Sequence, residues 1–129
     1  MGWFSRLLGL ETEPHQVVAI SDDNFKKEVL HSSVPVLLDV WGQNCGPCKL
    51  LEPVVMQLSR EYQGRVKVAE FDVATAPKTA ARLGISGTPT VVYFSKGREV
   101  ERVVGYRAGH YHREFIEHEL LAAAPQPSK

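Results

Sequence analysis

The sequence predicts an α/β fold in which a mixed β-sheet carries helices on both faces. Three observations predict it. Segments with helical spacing alternate with short extended runs through the first two thirds of the chain. One of those runs, "VPVLLDVW" at 34–41, is apolar without alternation, as suits a central strand buried on both faces. Near the C-terminus two extended runs adjoin with only Lys96-Gly97 as a turn, which closes the sheet with a hairpin.

The elements follow in order. "HQVVAI", 15–20, is a candidate first strand. "SDDNFKKEVL", 21–30, is a helix: Ser21 caps it, Asp22 and Asp23 complement the positive end of its dipole, and Phe25 and Val29 stand four apart. After the central strand, Leu51, Val54, Val55 and Leu58 recur at three and four, which predicts a helix from Pro47 to about Tyr62. Pro53 lies inside it and predicts a kink. "RVKVAEFDV" is a strand, and "APKTAARLG" is a short helix stopped by Gly84. "TPTVVYFSKGREVERVVG" is the hairpin, and "GHYHREFIEHELLAAA" is the last helix. Residues 1–14 read as an N-terminal extension, 15–122 as one domain and 123–129 as a disordered tail.

Composition narrows the function. Lysine plus arginine equals aspartate plus glutamate, 15 of each, so nothing in the charge calls for nucleic acid or an acidic membrane. Hydrophobic residues are 43% of the chain, enough for a core, yet no run approaches the ~20 apolar residues of a membrane span. In "MGWFSRLLGLETEP" the apolar stretch is broken by Ser5 and Arg6 and carries no small-residue cleavage site, so it does not read as a secretory signal. Arg6 also stands where a myristoylation site needs Ser or Thr. The protein is therefore expected in the cytoplasm, without integral membrane association. Trp3, Phe4, Leu7 and Leu8 share one face of a short helix, expected to dock on the domain or to stay partly disordered, with a weak membrane-surface or partner contact as the alternative.

Both cysteines stand in "NCGPCK", two residues apart. As a structural staple the pair is poor: so short a loop gives only ~2 kcal/mol, and a cytoplasmic bridge would be kept reduced. As a zinc site it supplies two of four ligands, and the one close histidine pair, His110 and His112, lies some sixty residues on. Thiol–disulfide exchange fits better. Cys45 is placed at the N-terminus of the predicted helix, where free N–H groups and the dipole favour a thiolate, while Cys48 lies one turn inside. Pro47 fits a first helical turn. An outer thiolate attacks a disulfide and the inner thiol resolves the mixed disulfide. Asp39 interrupts the buried run, on the side of Leu37 and Trp41 and under the start of the cysteine helix. A carboxyl with a raised pKa there can take the proton of Cys48, although a plain structural carboxylate is the alternative.

These residues resemble the thioredoxin family. The resemblance rests on "VLLDVWGQNCGPCKLLEPVV", on "ARLGISGTPTVVYFSKG" and on the glycine of "RVVGY", and it covers residues 16–121. It implies the thioredoxin fold, a central mixed five-stranded sheet flanked by four helices. It implies a monomeric protein-disulfide reductase with a redox-active Cys45–Cys48 disulfide, serving electron transport and cell redox homeostasis. It implies no bound cofactor or metal, electrons from NADPH via thioredoxin reductase, and disulfide-containing proteins as substrates.

Residue by residue, the resemblance makes Cys45 the attacking thiol, Cys48 the resolving one and Asp39 the proton acceptor. Trp41, Gly46, Pro47, Thr88, Pro89 and Gly105 become the substrate-binding surface, with Thr88-Pro89 in the cis form. Read without it, "GTPT" is an ordinary trans turn. Three positions depart from the family pattern. Asn44 replaces the usual tryptophan before the first cysteine, and Glu70 replaces the lysine that neighbours the buried aspartate. His112 stands at an apolar position of the last helix, where it is expected to have a satisfied imidazole. Net oxidation or isomerisation of disulfides, and a binding module with incidental redox chemistry, are the competing readings.

Overall fold

Residues 17–122 are described by a computed structural model. Strand β1 (Val17–Ala19) leads to helix α1 (Lys26–Leu30), then β2 (Val36–Trp41), α2 (Gly46–Glu61), β3 (Lys67–Asp72) and α3 (Pro77–Leu83). The hairpin β4 (Thr90–Ser95) and β5 (Arg98–Val104) follows, and then α4 (Gly109–Phe115), which runs on through a wider turn at Ile116–Leu120. The apolar face of Trp3, Phe4, Leu7 and Leu8, the start of the first predicted strand and the tail 123–129 lie outside the described residues.

The five strands form one sheet in the order β1-β3-β2-β4-β5. The first three are parallel, and β4 and β5 add antiparallel strands. Alternation along the strands divides the core between the two faces. Leu37, Val68, Val91 and Tyr93 pack with Leu51, Val55 and Leu58 of α2 and with Ile116 and Leu120 after α4. Leu38, Val40, Ala69, Phe71, Val92 and Phe94 pack on the other face with Phe25, Val29 and Ala76. The centre of β2 is buried on both faces, as its unbroken apolar run requires.

Local signals set several boundaries. Gly84 ends α3 at φ +65, a left-handed conformation that costs glycine nothing. Lys96 and Gly97 both have positive φ, as the tight turn of a two-residue hairpin demands. Two details differ from the sequence reading. The first helix is shorter than 21–30, because residues 22–24 form a turn, and its end is wound wide, with His31 N–H donating to the Lys26 carbonyl at 2.9 Å. Ser21 does cap this turn, accepting from Asp23 and Asn24 N–H at 3.2 Å each. Asp22 does something else. Its carboxylate accepts from the backbone N–H groups of Thr79 (2.7 Å) and Lys78 (3.3 Å), so it caps α3, whose own N-cap Ala76 has no side chain for the task.

His112 is a correction. It is 1% exposed, and its Nδ1 is hydrogen-bonded to the Tyr93 hydroxyl, but its Nε2 has no partner among the described residues. Among the described residues, only half of the imidazole is satisfied. Burial, with a smaller push from Arg107, lowers its pKa to about 4, so the ring is neutral at ordinary pH.

Candidate active site

The end of β2 delivers the chain to the N-terminus of α2. Gly42 keeps this approach uncrowded, since a Cβ there would meet the Thr88 hydroxyl at 3.3 Å. Asn44 then takes φ +52, a conformation that asparagine tolerates better than bulky residues do. The loop is tied down from below. Asp72 accepts from the Gln43 side-chain amide (2.6 Å) and from Ala74 N–H (2.9 Å).

Cys45 is the N-cap of α2, and its sulfur accepts from the Cys48 backbone N–H at 3.2 Å. The two cysteines form a disulfide with their Cα atoms 5.3 Å apart. Residue coverage hardly separates them: Cys45 is 9% exposed and Cys48 7%. The expected contrast between an exposed and a protected cysteine is therefore not found in this bonded state. Surroundings distinguish them instead. The Thr88 hydroxyl lies 3.7 Å from the Cys45 sulfur, whereas Cys48 lines a cavity of about 480 Å³ together with Gly42, Gln43 and Asn44.

The residues predicted from sequence fall into two groups around these sulfurs. On the Cys45 side, the Thr88-Pro89 bond is cis, and the Pro89 carbonyl accepts from Gly105 N–H at 2.8 Å. Gly105 has φ +94, which lets the end of β5 turn beside Pro89. Gly46 and Pro47 are exposed at the first turn of α2. On the Cys48 side, Asp39 and Trp41 line the cavity together with Glu70. Asp39 pairs with Glu70 across β2 and β3, so both carboxylates face α2. The Trp41 indole N–H donates to Glu70 Oε1 at 2.6 Å.

Asp39 is 6% exposed, and its Oδ1 has no hydrogen-bond partner among the described residues. Burial, then the negative charges of Glu70 and Glu52, push its pKa up to about 7. Sequence reasoning passed over Glu52, although a signal existed: it stands four residues after Cys48 and so shares its helix face. It also missed the Asp72 anchor, which nothing local marks. Among the described residues no helix is long and apolar enough to cross a membrane.

A sequence model of the thioredoxin family matches residues 16–118. The chain is 44% identical over 86 residues to a thioredoxin of Synechocystis sp., covering 67% of this chain and 80% of that one. It is 42% identical over 86 residues to a thioredoxin of Rickettsia conorii, covering 67% and 82%. It is 46% identical over 85 residues to a thioredoxin of Thiocapsa roseopersicina, covering 66% and 92%. With the five-stranded mixed sheet and the Cys45–Cys48 disulfide capping α2, this match over most of the chain places the protein in the thioredoxin family of thiol–disulfide oxidoreductases.

Proposed function

We propose that the chain reduces protein disulfides with Cys45 as nucleophile, Cys48 as resolving thiol and Asp39 as proton acceptor. One observation carries the assignment: a disulfide at the N-terminus of α2 whose outer sulfur faces Thr88 while its inner cysteine shares a cavity with a buried carboxyl. In the reduced protein the N–H of Cys48 and the helix N-terminus favour a Cys45 thiolate. That thiolate attacks a partner S–S bond, forming a Cys45–partner disulfide and releasing one partner thiolate. Cys48 gives its proton to Asp39 and attacks the Cys45 sulfur. The mixed disulfide breaks, the second partner thiolate leaves, and the Cys45–Cys48 bond forms. Two electrons pass from the dithiol to the partner.

Trp41, Gly46, Pro47, Thr88, Pro89 and Gly105 form the surface on which the partner lies. The exposed first turn of α2, the Thr88 hydroxyl near the Cys45 sulfur and the Pro89–Gly105 contact support this. NADPH, by way of thioredoxin reductase, restores the dithiol. The protein acts as a cytoplasmic monomer in electron transport and redox homeostasis, with residues 15–122 as its catalytic unit and 1–14 and 123–129 as appendages.

Insulin reduction driven by NADPH and a thioredoxin reductase tests the function. Turnover is expected from the full chain and, nearly undiminished, from a chain lacking residues 1–14. No turnover from the full chain overturns the reductase assignment. A large loss in a folded truncated chain overturns the division at residue 14. Limited alkylation of the reduced protein near neutral pH is expected to label Cys45 before Cys48; the opposite order reverses their roles.

A further inference from the structure

The cavity beside Cys48 gathers three carboxylates from three elements, Asp39 on β2, Glu52 on α2 and Glu70 on β3, against one cation, Lys49. Asp39 and Glu70 have unused acceptor capacity among the described residues. Asp39 lines the cavity, is more than nine-tenths buried, and has no partner for Oδ1 among the described residues. Glu70 accepts from the neutral Trp41 indole at Oε1, and among the described residues it forms no ion pair. At about 480 Å³ the cavity far exceeds the ~30 Å³ share of one water. Its remaining wall includes Trp41, Val55 and Met56, an aromatic and apolar surface that suits the stem and flat face of a long cationic side chain. Among the described residues no cluster of carboxylates, histidines and cysteines is set to hold a metal ion.

We infer that this cavity is a subsite for a cationic side chain, arginine above all, carried by the disulfide partner next to its cysteine. The inference rests on the reading of Cys45 and Cys48 as a protein-disulfide reductase site. A guanidinium presents donors in a planar fork and is more weakly hydrated than an ammonium, so it can join Glu52 and Glu70 across the cavity. Its charge offsets the mutual repulsion of the carboxylates. It thereby favours the ionised form of Asp39, the form that accepts the Cys48 proton. Partners with arginine beside the disulfide are held longer and resolved faster.

The test uses the full chain and three disulfide peptides that differ at one flanking residue: Arg, Gln or Glu. In single-turnover reduction the wild-type chain is expected to prefer Arg over Gln by about tenfold, the size of one charge-assisted hydrogen bond. Glu70→Gln and Glu52→Gln should each cut the preference to about twofold or threefold, and Glu114→Gln, on α4 and outside the cavity, should leave it unchanged. Equal rates for Arg and Gln peptides in the wild-type chain overturn the subsite. So does a preference that survives both cavity variants, or one that Glu114→Gln reduces as much. If no peptide is reduced by the wild-type chain, the failure lies with the reductase reading instead. A second measurement does not depend on turnover. A cysteine-free arginine peptide should shift the Trp41 indole N–H resonance of the oxidised chain, and its glutamine counterpart should not. No shift with the arginine peptide means the cavity takes solvent only and overturns the inference.

Discussion

Replacing Cys48 by serine is expected to turn the catalyst into a trap. Cys45 keeps its place at the N-cap of α2, where in the native chain its sulfur accepts from the residue-48 backbone N–H at 3.2 Å, so attack on a partner disulfide is expected to proceed. Resolution does not. In the native protein the second sulfur is already bonded to the first within one helical turn, a geometry no external thiol matches. Well-oriented intramolecular reactions reach effective molarities of roughly 10⁵–10⁸ M, against millimolar external thiol. Turnover should therefore fall by at least about 10³-fold, and the partner should accumulate as a covalent adduct. Intact-mass measurement under non-reducing conditions reads the adduct, and peptide mapping locates it at Cys45. Cys45→Ser should lose turnover and leave no adduct. An adduct formed through Cys48 in that variant would overturn the assignment of roles.

Asp39→Asn is expected to stabilise the fold at neutral pH while slowing resolution. The carboxyl titrates near its ordinary value of 3.8 in the unfolded chain and at about 7 in the folded one. Between these values the folded state binds the extra proton, so raising the pH costs stability. The loss begins near pH 4, grows through pH 7 and is level above that. Roughly three units at 1.36 kcal/mol each make it on the order of 4 kcal/mol.

Asparagine never ionises, so the variant escapes this loss. Its amide adds a buried donor, which costs about 1–3 kcal/mol if unpaired. The ionisation effect wins above pH 7 and leaves a net gain of about 1–3 kcal/mol, and below pH 4 the gain is absent or reversed. Urea unfolding of both proteins at pH 4, 6 and 8 measures this, and a difference that does not change with pH would overturn the buried, raised carboxyl. Resolution should slow by about 10²–10⁴-fold, the usual size of a lost general base. Glu70→Gln should lower the Asp39 pKa and Glu70→Lys should lower it further, as followed by carboxyl NMR in the oxidised protein, where the cysteines do not titrate. An Asp39 pKa indifferent to residue 70 would show that the two carboxylates are not coupled.

The Asp39–Glu70 pairing shows how far sequence reading reached. Alternation along "VLLDVW" put Asp39 on the face of Leu37 and Trp41, and the structure agrees. Alternation cannot say which strand lies alongside. That β3 sits next to β2 and sets Glu70 opposite Asp39 is a matter of register. The resemblance to the family pointed to residue 70, but not to the Trp41–Glu70 hydrogen bond or to Glu52 in the same cavity.

Local chemistry by itself determined a good deal of this protein. The Cys-Gly-Pro-Cys turn opens a helix because Pro47 and a polarised N-terminus favour one there, Gly84 stops α3, Lys96-Gly97 closes the hairpin, and the unbroken run of β2 marks the sheet centre. Each is decided within a few residues, by backbone conformations that only certain side chains allow. Tertiary structure decided the rest. Asp22 caps a helix 56 and 57 residues away, Thr88 reaches the Cys45 sulfur across 43, and Gly105 donates to the Pro89 carbonyl. His112 is drawn to Tyr93, and its Nε2 is left without a partner among the described residues. These contacts join segments whose own patterns are indifferent to one another. Their partners are chosen by burying both faces of one sheet at once, and no local stretch of sequence encodes that condition.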